Sequence, residues 1–459
     1  MGSAILFSYP ELSTIVGIQG TFTYAAASAL PLMAFVYLGP IIRKKLPEGF
    51  IMTIWVRHRY GESAGAYISF LTLAVMFLYM VAELSALQQV IGTLAGIDGL
   101  PVVIVQVIVT TIYTSLGGFR VSFVTDSIQG VMICGLILIC SIAIGTSVKI
   151  DMSLIEPSGL MKPSLLGYQL IYTLFIGIIC SNMFLSGFWM RTFASRTDKD
   201  LAIGVSIATF LVFVILALVG ATGLIAVWSG IPEPGAMAFF LIMGNLPAWV
   251  VGLVIVMVVS LSCAVFDSLQ SAMVSTASEE LFRNRLPLLW VRGMVVLVII
   301  PVIVVAIKSP SILQIFLISN LAASAAVPSV FLGLSRNFYF IHGFEVVCGG
   351  LGGIFSVWVF GMIFYHGDAS AAGKLIILAS LYAPDWSAFG TFLVAPVAGL
   401  LITFTVCALR LGVRYALCKS RGERFDGLDR PMEPPTADEV RAEFERESSD
   451  ASHRPTKRV

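Results

Sequence analysis

The sequence predicts an all-α polytopic membrane protein with about eleven transmembrane helices, and three observations predict it. The composition is too apolar for a soluble domain, eleven apolar stretches are long enough to cross hydrocarbon, and the cations gather in alternate loops. Hydrophobic residues fill 58% of the 459 positions and charged residues only 12%, against about 45–50% and about 25% in soluble domains. The last 41 residues, Lys419 to Val459, hold 9 Lys/Arg and 10 Asp/Glu, leaving 36 charges for the first 418. A body so poor in charge cannot coat its surface with it, so lipid is its solvent. The chain therefore divides into a transmembrane domain over 1–418 and a charged tail over 419–459. The tail lacks apolar periodicity and reads as disordered and cytosolic.

Each span covers the roughly 30 Å of hydrocarbon, and the loops between them are read in order. The first, 14–42, runs into Arg43, Lys44, Lys45, Arg57 and Arg59. The second, 63–93, and the third, 100–117, lead to Arg120; the fourth, 122–148, leads to Lys149 and Lys162. After the fifth, 165–190, come Arg191, Arg196 and Lys199. The sixth, 201–228, and the seventh, 246–281, precede Arg283, Arg285 and Arg292. The eighth, 287–307, is followed by Lys308, the ninth, 311–334, by Arg336, and the tenth, 343–366, by Lys374. The eleventh, 386–417, carries Arg410 and Arg414 into the tail. With the first loop inside, 24 cations fall inside and 4 outside, a strong positive-inside asymmetry that places the C-terminus in the cytosol.

This topology puts Met1 outside, with only MGSAILFSYPEL before the first span. That segment is too short for a signal peptide and has no basic n-region. The expectation is that a further helix precedes Met1; the alternative is a short N-terminus that translocates.

Other function classes find little support. A net charge of +1 argues against a nucleic-acid partner. Seven cysteines lie singly, with no CxxC pair, and four histidines are scattered. No metal site, cofactor or enzymatic constellation is expected.

The segment YTSLGGFRVSFVTDSIQGVMI, Tyr113 to Ile133, is the most informative. A glycine pair allows a tight cytosolic turn, an arginine anchors it, and Thr125-Asp126 opens the next helix, where a carboxylate suits the positive end of the macrodipole. This order resembles the sodium/solute symporter family, whose signature here is a Gly-Gly turn, a basic residue, then Trp-Thr-Asp and Gln. In this chain Phe123-Val124 precede Thr125-Asp126, and Gln129 follows. Phe188-Trp189-Met190-Arg191 with Phe193-Ala194-Ser195 is similar to the motif after the family's sixth core helix, with Met190 in place of Gln. Ser262 to Phe282, preceded by Asn245-Leu246-Pro247, resembles its eighth core helix.

The resemblance spans Ile15 to Leu417 and implies a LeuT-type bundle of two inverted five-helix repeats, the spans matching core helices two to twelve. The first core helix would be largely missing, represented by Met1 to Tyr9. It also implies an integral, plasma-membrane symporter of a small polar solute, such as urea, an amino acid or a polyamine-like metabolite. Coupling would be to H+ or Na+. Two other readings are a non-transporting sensor on a transporter scaffold and an inactive truncated product.

Glu83 lies within the second span, with Tyr79 one turn before it. A carboxylate there faces a partner or a wet cavity, so it reads as a substrate contact, a proton acceptor, or a bond to a neighbouring helix. In the fifth span Gly177 and Cys180-Ser181-Asn182 suit an interrupted helix offering backbone groups to a ligand, or close packing. Ser319-Asn320 could face the same cavity. Asp267, in the seventh span, reads as a coupling carboxylate or an inter-helix bond.

The family's sodium-coupled members carry two hydroxyl residues on the eighth core helix. Matching back from Glu280-Leu281-Phe282 puts Ala264-Val265 there, and neither offers the oxygen that a hard cation needs. Asp126 stands at the position linked with the inner sodium pathway. Proton coupling is thus at least as well supported, and the eukaryotic urea/proton symporters are the branch that this chain most resembles.

Overall fold

The computed structural model describes residues 2–45, 52–278, 285–308, 311–378 and 385–429; inside helices, the side chains of 116–123, 126 and 288 fall outside the description. The helices run α1 (Ile5–Ala29), α2 (Met33–Lys45), α3 (Met52–Tyr60), α4 (Glu62–Ala95), α5 (Leu100–Ser147), α6 (Ile155–Ser158), α7 (Leu165–Phe184) and α8 (Ser186–Ala194). They continue with α9 (Asp198–Trp228), α10 (Ala238–Gly244), α11 (Ala248–Thr276), α12 (Leu288–Lys308), α13 (Ile312–Phe331), α14 (Gly343–Phe364), α15 (Ala369–Ile376) and α16 (Ser387–Arg421). Among the described residues ten helical stretches are long and apolar enough to cross a membrane, and two shorter apolar helices, Leu100–Ser115 and Gly235–Gly244, fall below that length. Ten is one short of the eleven spans read from the sequence, the third of which falls on the shorter Leu100–Ser115 helix; the order agrees.

The bundle is sorted with polar groups inward. The start of α5 buries Val103, Gln106, Val107, Thr110 and Thr114, and turns Ile104, Val105, Ile108, Val109 and Ile112 outward. The buried positions recur at helical spacing, so one stripe faces protein and the apolar remainder faces lipid.

Three departures from straight helices shape the centre. The first is in α1, where Gly17 takes φ 72° and ψ −152°. The chain reverses there into two antiparallel limbs, 5–16 and 18–29. Tyr9 stacks on Tyr24 with centroids 3.9 Å apart, and the Thr21 hydroxyl donates to Ser13 Oγ at 2.7 Å. The Leu160 carbonyl accepts the Ile18 N–H at 2.9 Å, and a Cβ on Gly17 would strike that same backbone. Only glycine meets both demands.

This turn corrects the expected first span. Residues 14–16 belong to the limb before the turn, and the half-helix that was expected to end at Tyr9 continues to Val16. Nor does the N-terminal segment lie beyond the bundle. Ser3 is fourteen residues, about 21 Å, from Gly17, and Glu83 is thirteen residues, about 20 Å, from Gly96 at the C-terminal end of α4. The two meet in a hydrogen bond. Two apolar limbs joined at a single residue leave no polar loop, so hydropathy reads them as one.

The second departure separates α7 from α8 at Leu185, an extended residue with φ −83° and ψ 92°. Its N–H bonds Asn182 O at 3.2 Å, and Trp189 Nε1 donates to Met183 O at 2.8 Å, so two carbonyls freed by the break are satisfied. The expected interruption lay nearer Gly177 and Cys180. Gly177 instead serves packing, because a Cβ there would press on Asn320 and Phe392.

The third lies within α5. Tyr113 and Thr125 both donate to Asp267 Oδ2, although twelve residues of straight helix would set them about 18 Å apart. The two side chains cannot span that distance, so 100–147 folds back as two spans.

The cations of the predicted inner face close helix ends. Arg43 donates to Thr192 O at 2.6 Å and to Ser195 O at 3.3 Å, at the end of α8. Arg59 donates to Phe338 O at 2.8 Å, and Arg410 pairs with the buried Glu345.

Candidate functional site

A polar junction forms where α4, α7 and α13 meet. Tyr79, on α4, lies with its hydroxyl 3.5 Å from Ser181 Oγ on α7, and its ring is 4.9 Å from that of Phe316 on α13. Asn320 follows Phe316 by one turn and lies over Gly177. Ser319 Oγ and Asn320 Oδ1 are both buried and have no hydrogen-bond partner among the described residues. Asn182 is buried next to Ser181, four residues before the α8 start. Tyr79 and Ser181 are thus brought together by contact, Asn320 joins the junction across Gly177, and Asn182 and Ser319 lie beside them in the chain.

Glu83 lies one turn after Tyr79 on α4 and is 2% exposed. Its carboxylate accepts the Ser3 N–H at 2.7 Å and the Ser3 hydroxyl at 2.9 Å. These donors precede the limb 5–16, so the positive end of that helix points at the carboxylate and offsets its burial. No lysine or arginine side chain pairs with it among the described residues. The arrangement is a buried carboxyl group, aromatic faces, and hydroxyl and amide oxygens without partners among the described residues, in low dielectric. It suits a small polar or cationic solute.

Asp267 belongs to a different place. It is fully buried on α11 and accepts from Tyr113 Oη at 2.7 Å and Thr125 Oγ1 at 3.2 Å. It thereby ties α11 to both arms of α5. Ala264 and Val265 lie one turn earlier on α11, partly buried, with Val265 packed against the core. The side chain of Asp126 lies outside the described residues.

Sequence reasoning did not single out Ser3, Tyr9, Tyr24, Gln106 or Gln270. The two glutamines carried a usable signal, since each is an amide inside an apolar span. Ser3, Tyr9 and Tyr24 gave none, because their meeting depends on the turn at Gly17.

No family model matches the chain. It is similar to the spermidine transporter DUR31 of Candida albicans, 47% identical over 439 residues, which cover 94% of this chain and 84% of that protein. It also resembles the probable urea active transporter 1 of Schizosaccharomyces pombe, 25% identical over 152 residues, 31% of this chain and 23% of that one. The urea active transporter of Saccharomyces cerevisiae is 25% identical over 123 residues, 27% and 17% of the two chains.

Two solved structures share the architecture. A Na+-coupled sialic acid symporter, at 16% identity, matches with a TM-score of 0.55, covering 89% of this chain and 90% of that one. Mhp1, a nucleobase-cation-symport-1 transporter, at 13% identity, matches with 0.56, covering 89% and 92%. At such identities the likeness speaks for the fold alone, which is the LeuT-type helical bundle.

Proposed function

This chain belongs to the family of the Candida albicans spermidine transporter DUR31, and from that premise we propose that it carries a linear polyamine across the plasma membrane by proton symport. The coarser statement stands by itself: it is an integral membrane protein, a secondary active transporter of a small polar solute, and not an enzyme. The polyamine reading rests chiefly on Glu83, a carboxylate buried within the bundle at a helix N-terminus. A polyamine is a polycation at neutral pH, and a desolvated carboxylate is the group that attracts it most strongly. Urea is neutral and would ask only for hydrogen bonds.

In this reading Glu83 meets an ammonium group, and the ring of Tyr79 offers it a π-face. Ser181, Asn182, Ser319 and Asn320 supply oxygens along the rest of the solute. Leu185, where α7 gives way to α8, is the point about which the site opens to one side or the other. Asp267 carries the coupling proton, Asp126 lies on its inner path, and the charged tail faces the cytosol.

The test is uptake of labelled spermidine and labelled urea into proteoliposomes holding the parent or Glu83→Gln. The reading expects the parent to favour spermidine, and the substitution to cut spermidine uptake at least tenfold, equivalent to about 1.4 kcal/mol. Urea uptake that exceeds spermidine uptake, with both unmoved by Glu83→Gln, would point to a neutral solute.

A further inference from the structure

The seam between α5 and α11 carries more polar groups than packing needs. Gln106 Nε2 donates to Ser262 Oγ at 2.8 Å, and Gln270 Nε2 donates to Thr111 Oγ1 at 3.2 Å. Tyr113 and Thr125 donate to Asp267. Besides Gln129 Oε1, later in α5, four further atoms on these helices, Gln106 Oε1, Gln270 Oε1, Thr114 Oγ1 and Ser271 Oγ, are buried and have no hydrogen-bond partner among the described residues. Their residues are only 5%, 2%, 4% and 5% exposed. Each can accept a hydrogen bond, and an unpaired acceptor at membrane depth is costly. Packing alone would have favoured apolar side chains in all four places.

The geometry makes these groups a track. On the predicted topology, 100–115 and α11 both run from the outer to the inner face, so positions on the two keep level. Ser262 and Gln106 form the outer end and Asp267 the middle. Ser271 lies one turn further in, on the same side as Asp267, and Gln270 and Thr114 lie beside it. From Ser262 to Ser271 the track is about 13 Å long. A buried water makes two to four hydrogen bonds, so two or three waters beside Gln270, Ser271 and Thr114 would satisfy those three atoms and lead from Asp267 toward the inner face.

We propose that this seam holds a short file of water that carries the coupling proton between Asp267 and the cytosol. The inference rests on the reading of the chain as a proton-coupled transporter. The step balances simply: the protonated Asp267 carboxyl gives its proton to the nearest water, the file passes it on, and the carboxylate remains, held by Tyr113 and Thr125. Among the described residues, the titratable and charged groups around Asp267 include Cys263 on its own helix, Tyr113 from α5 and Arg191 from α8. Arg191 reaches Ser268 at 3.3 Å. Beyond these, Arg292 from α12 holds the Ser115 carbonyl, Glu83 is on α4, and α10 adds none.

The experiment uses the 459-residue chain in proteoliposomes with a pH-sensitive dye inside and spermidine as the probe. Gln270→Leu is expected to slow spermidine-evoked luminal acidification at least tenfold, while labelled spermidine still exchanges at symmetric pH within twofold of the parent; Gln106→Leu, on the outer side of Asp267, is expected to leave acidification within twofold. Gln270→Glu keeps the shape and adds a titratable group, so it is expected to keep acidification and move its pH midpoint. Acidification within twofold of the parent in Gln270→Leu would overturn the file. If that variant fails to insert, an unmoved midpoint in Gln270→Glu would overturn it instead. A parent that exchanges spermidine without acidification refutes proton coupling and the file with it, and leaves polyamine transport standing; a parent that exchanges neither spermidine nor urea refutes the transport reading itself.

Discussion

Ser3 gives both its backbone N–H, at 2.7 Å, and its hydroxyl, at 2.9 Å, to one oxygen of Glu83, eighty positions away in the chain. The pair ties the limb 5–16 to α4 at the depth of the polar junction. It also explains how a carboxylate persists there: two donors and a helix N-terminus replace the water it gave up.

A first prediction separates the two partners. A hydrogen bond to a charged group contributes about 1.5–3 kcal/mol. Ser3→Ala removes the hydroxyl and keeps the N–H, so it should lower the thermal midpoint of the purified protein by a few degrees and leave spermidine uptake measurable. Glu83→Gln should abolish most uptake with a smaller thermal effect, because the amide still accepts from Ser3. Equal losses of uptake in both variants would mean that Glu83 serves the fold alone.

The turn at Gly17 gives a second. An alanine there must hold a positive φ and drive its Cβ into the Leu160 backbone. Left-handed strain alone costs about 1–2 kcal/mol, and the clash adds to it. Gly17→Ala should therefore reduce folded, monodisperse protein severely in size-exclusion chromatography. Gly204→Ala, on α9 where a Cβ meets nothing, should be neutral. A normal yield from Gly17→Ala would show that the limbs rearrange without cost.

Much of the fold was legible because lipid demands long apolar runs. Ten spans stand out by that measure alone among the described residues. Glu83 and Asp267 were legible for the same reason, as carboxylates where charge is expensive. What stayed hidden depends on backbone direction. The reversal at Gly17 and the break at Leu185 lie between segments of equal hydropathy, so neither leaves a polar trace. The glycine that looked like a break, Gly177, turned out to be a point of close approach to Asn320. Residues far apart in the chain, such as Tyr9 and Tyr24 or Gln106 and Ser262, acquire meaning only once those bends have brought them together.

A third prediction concerns the segment after α16. Arg414 donates to Asp426 Oδ2 at 2.7 Å, and Tyr339 Oη donates to Leu428 O at 2.7 Å, so residues 423–429 fold back on the bundle. The Arg414 hydrogen bond holds the exposed Asp426 carboxyl below the usual aspartate range. A depressed value means that the contact contributes above the unfolded value, about 3.9, and is lost as pH falls through the lower, folded one. A spin label at Leu428→Cys should be immobile at neutral pH and mobile well below pH 4, and mobile throughout in Asp426→Asn. Equal mobility at both pH values would remove Asp426 from the contact.

The last prediction concerns the driving ion, where residue chemistry and family habit part. Ala264 and Val265 occupy the positions at which the sodium-coupled relatives are expected to offer hydroxyls, and neither brings an oxygen to α11. A sodium ion wants several oxygen ligands at once. The carboxylates buried in the spans, Glu83 and Asp267, need only one oxygen each to take up a proton. Spermidine uptake by the parent should therefore follow an imposed pH gradient, acid outside, in the complete absence of sodium. A sodium gradient at symmetric pH should drive little. If uptake appears only with sodium, backbone carbonyls must replace the missing hydroxyls, and proton coupling is wrong. If the pH gradient does drive uptake, two substitutions assign the carrier. Asp267→Asn should abolish accumulation while downhill exchange continues, because its neutral amide can still sit between Tyr113 and Thr125 but cannot hold a travelling proton. Glu83→Gln should weaken both accumulation and exchange, as the loss of a solute contact would. The opposite pattern would make Glu83 the proton carrier and leave Asp267 as the tie between α11 and the two arms of α5.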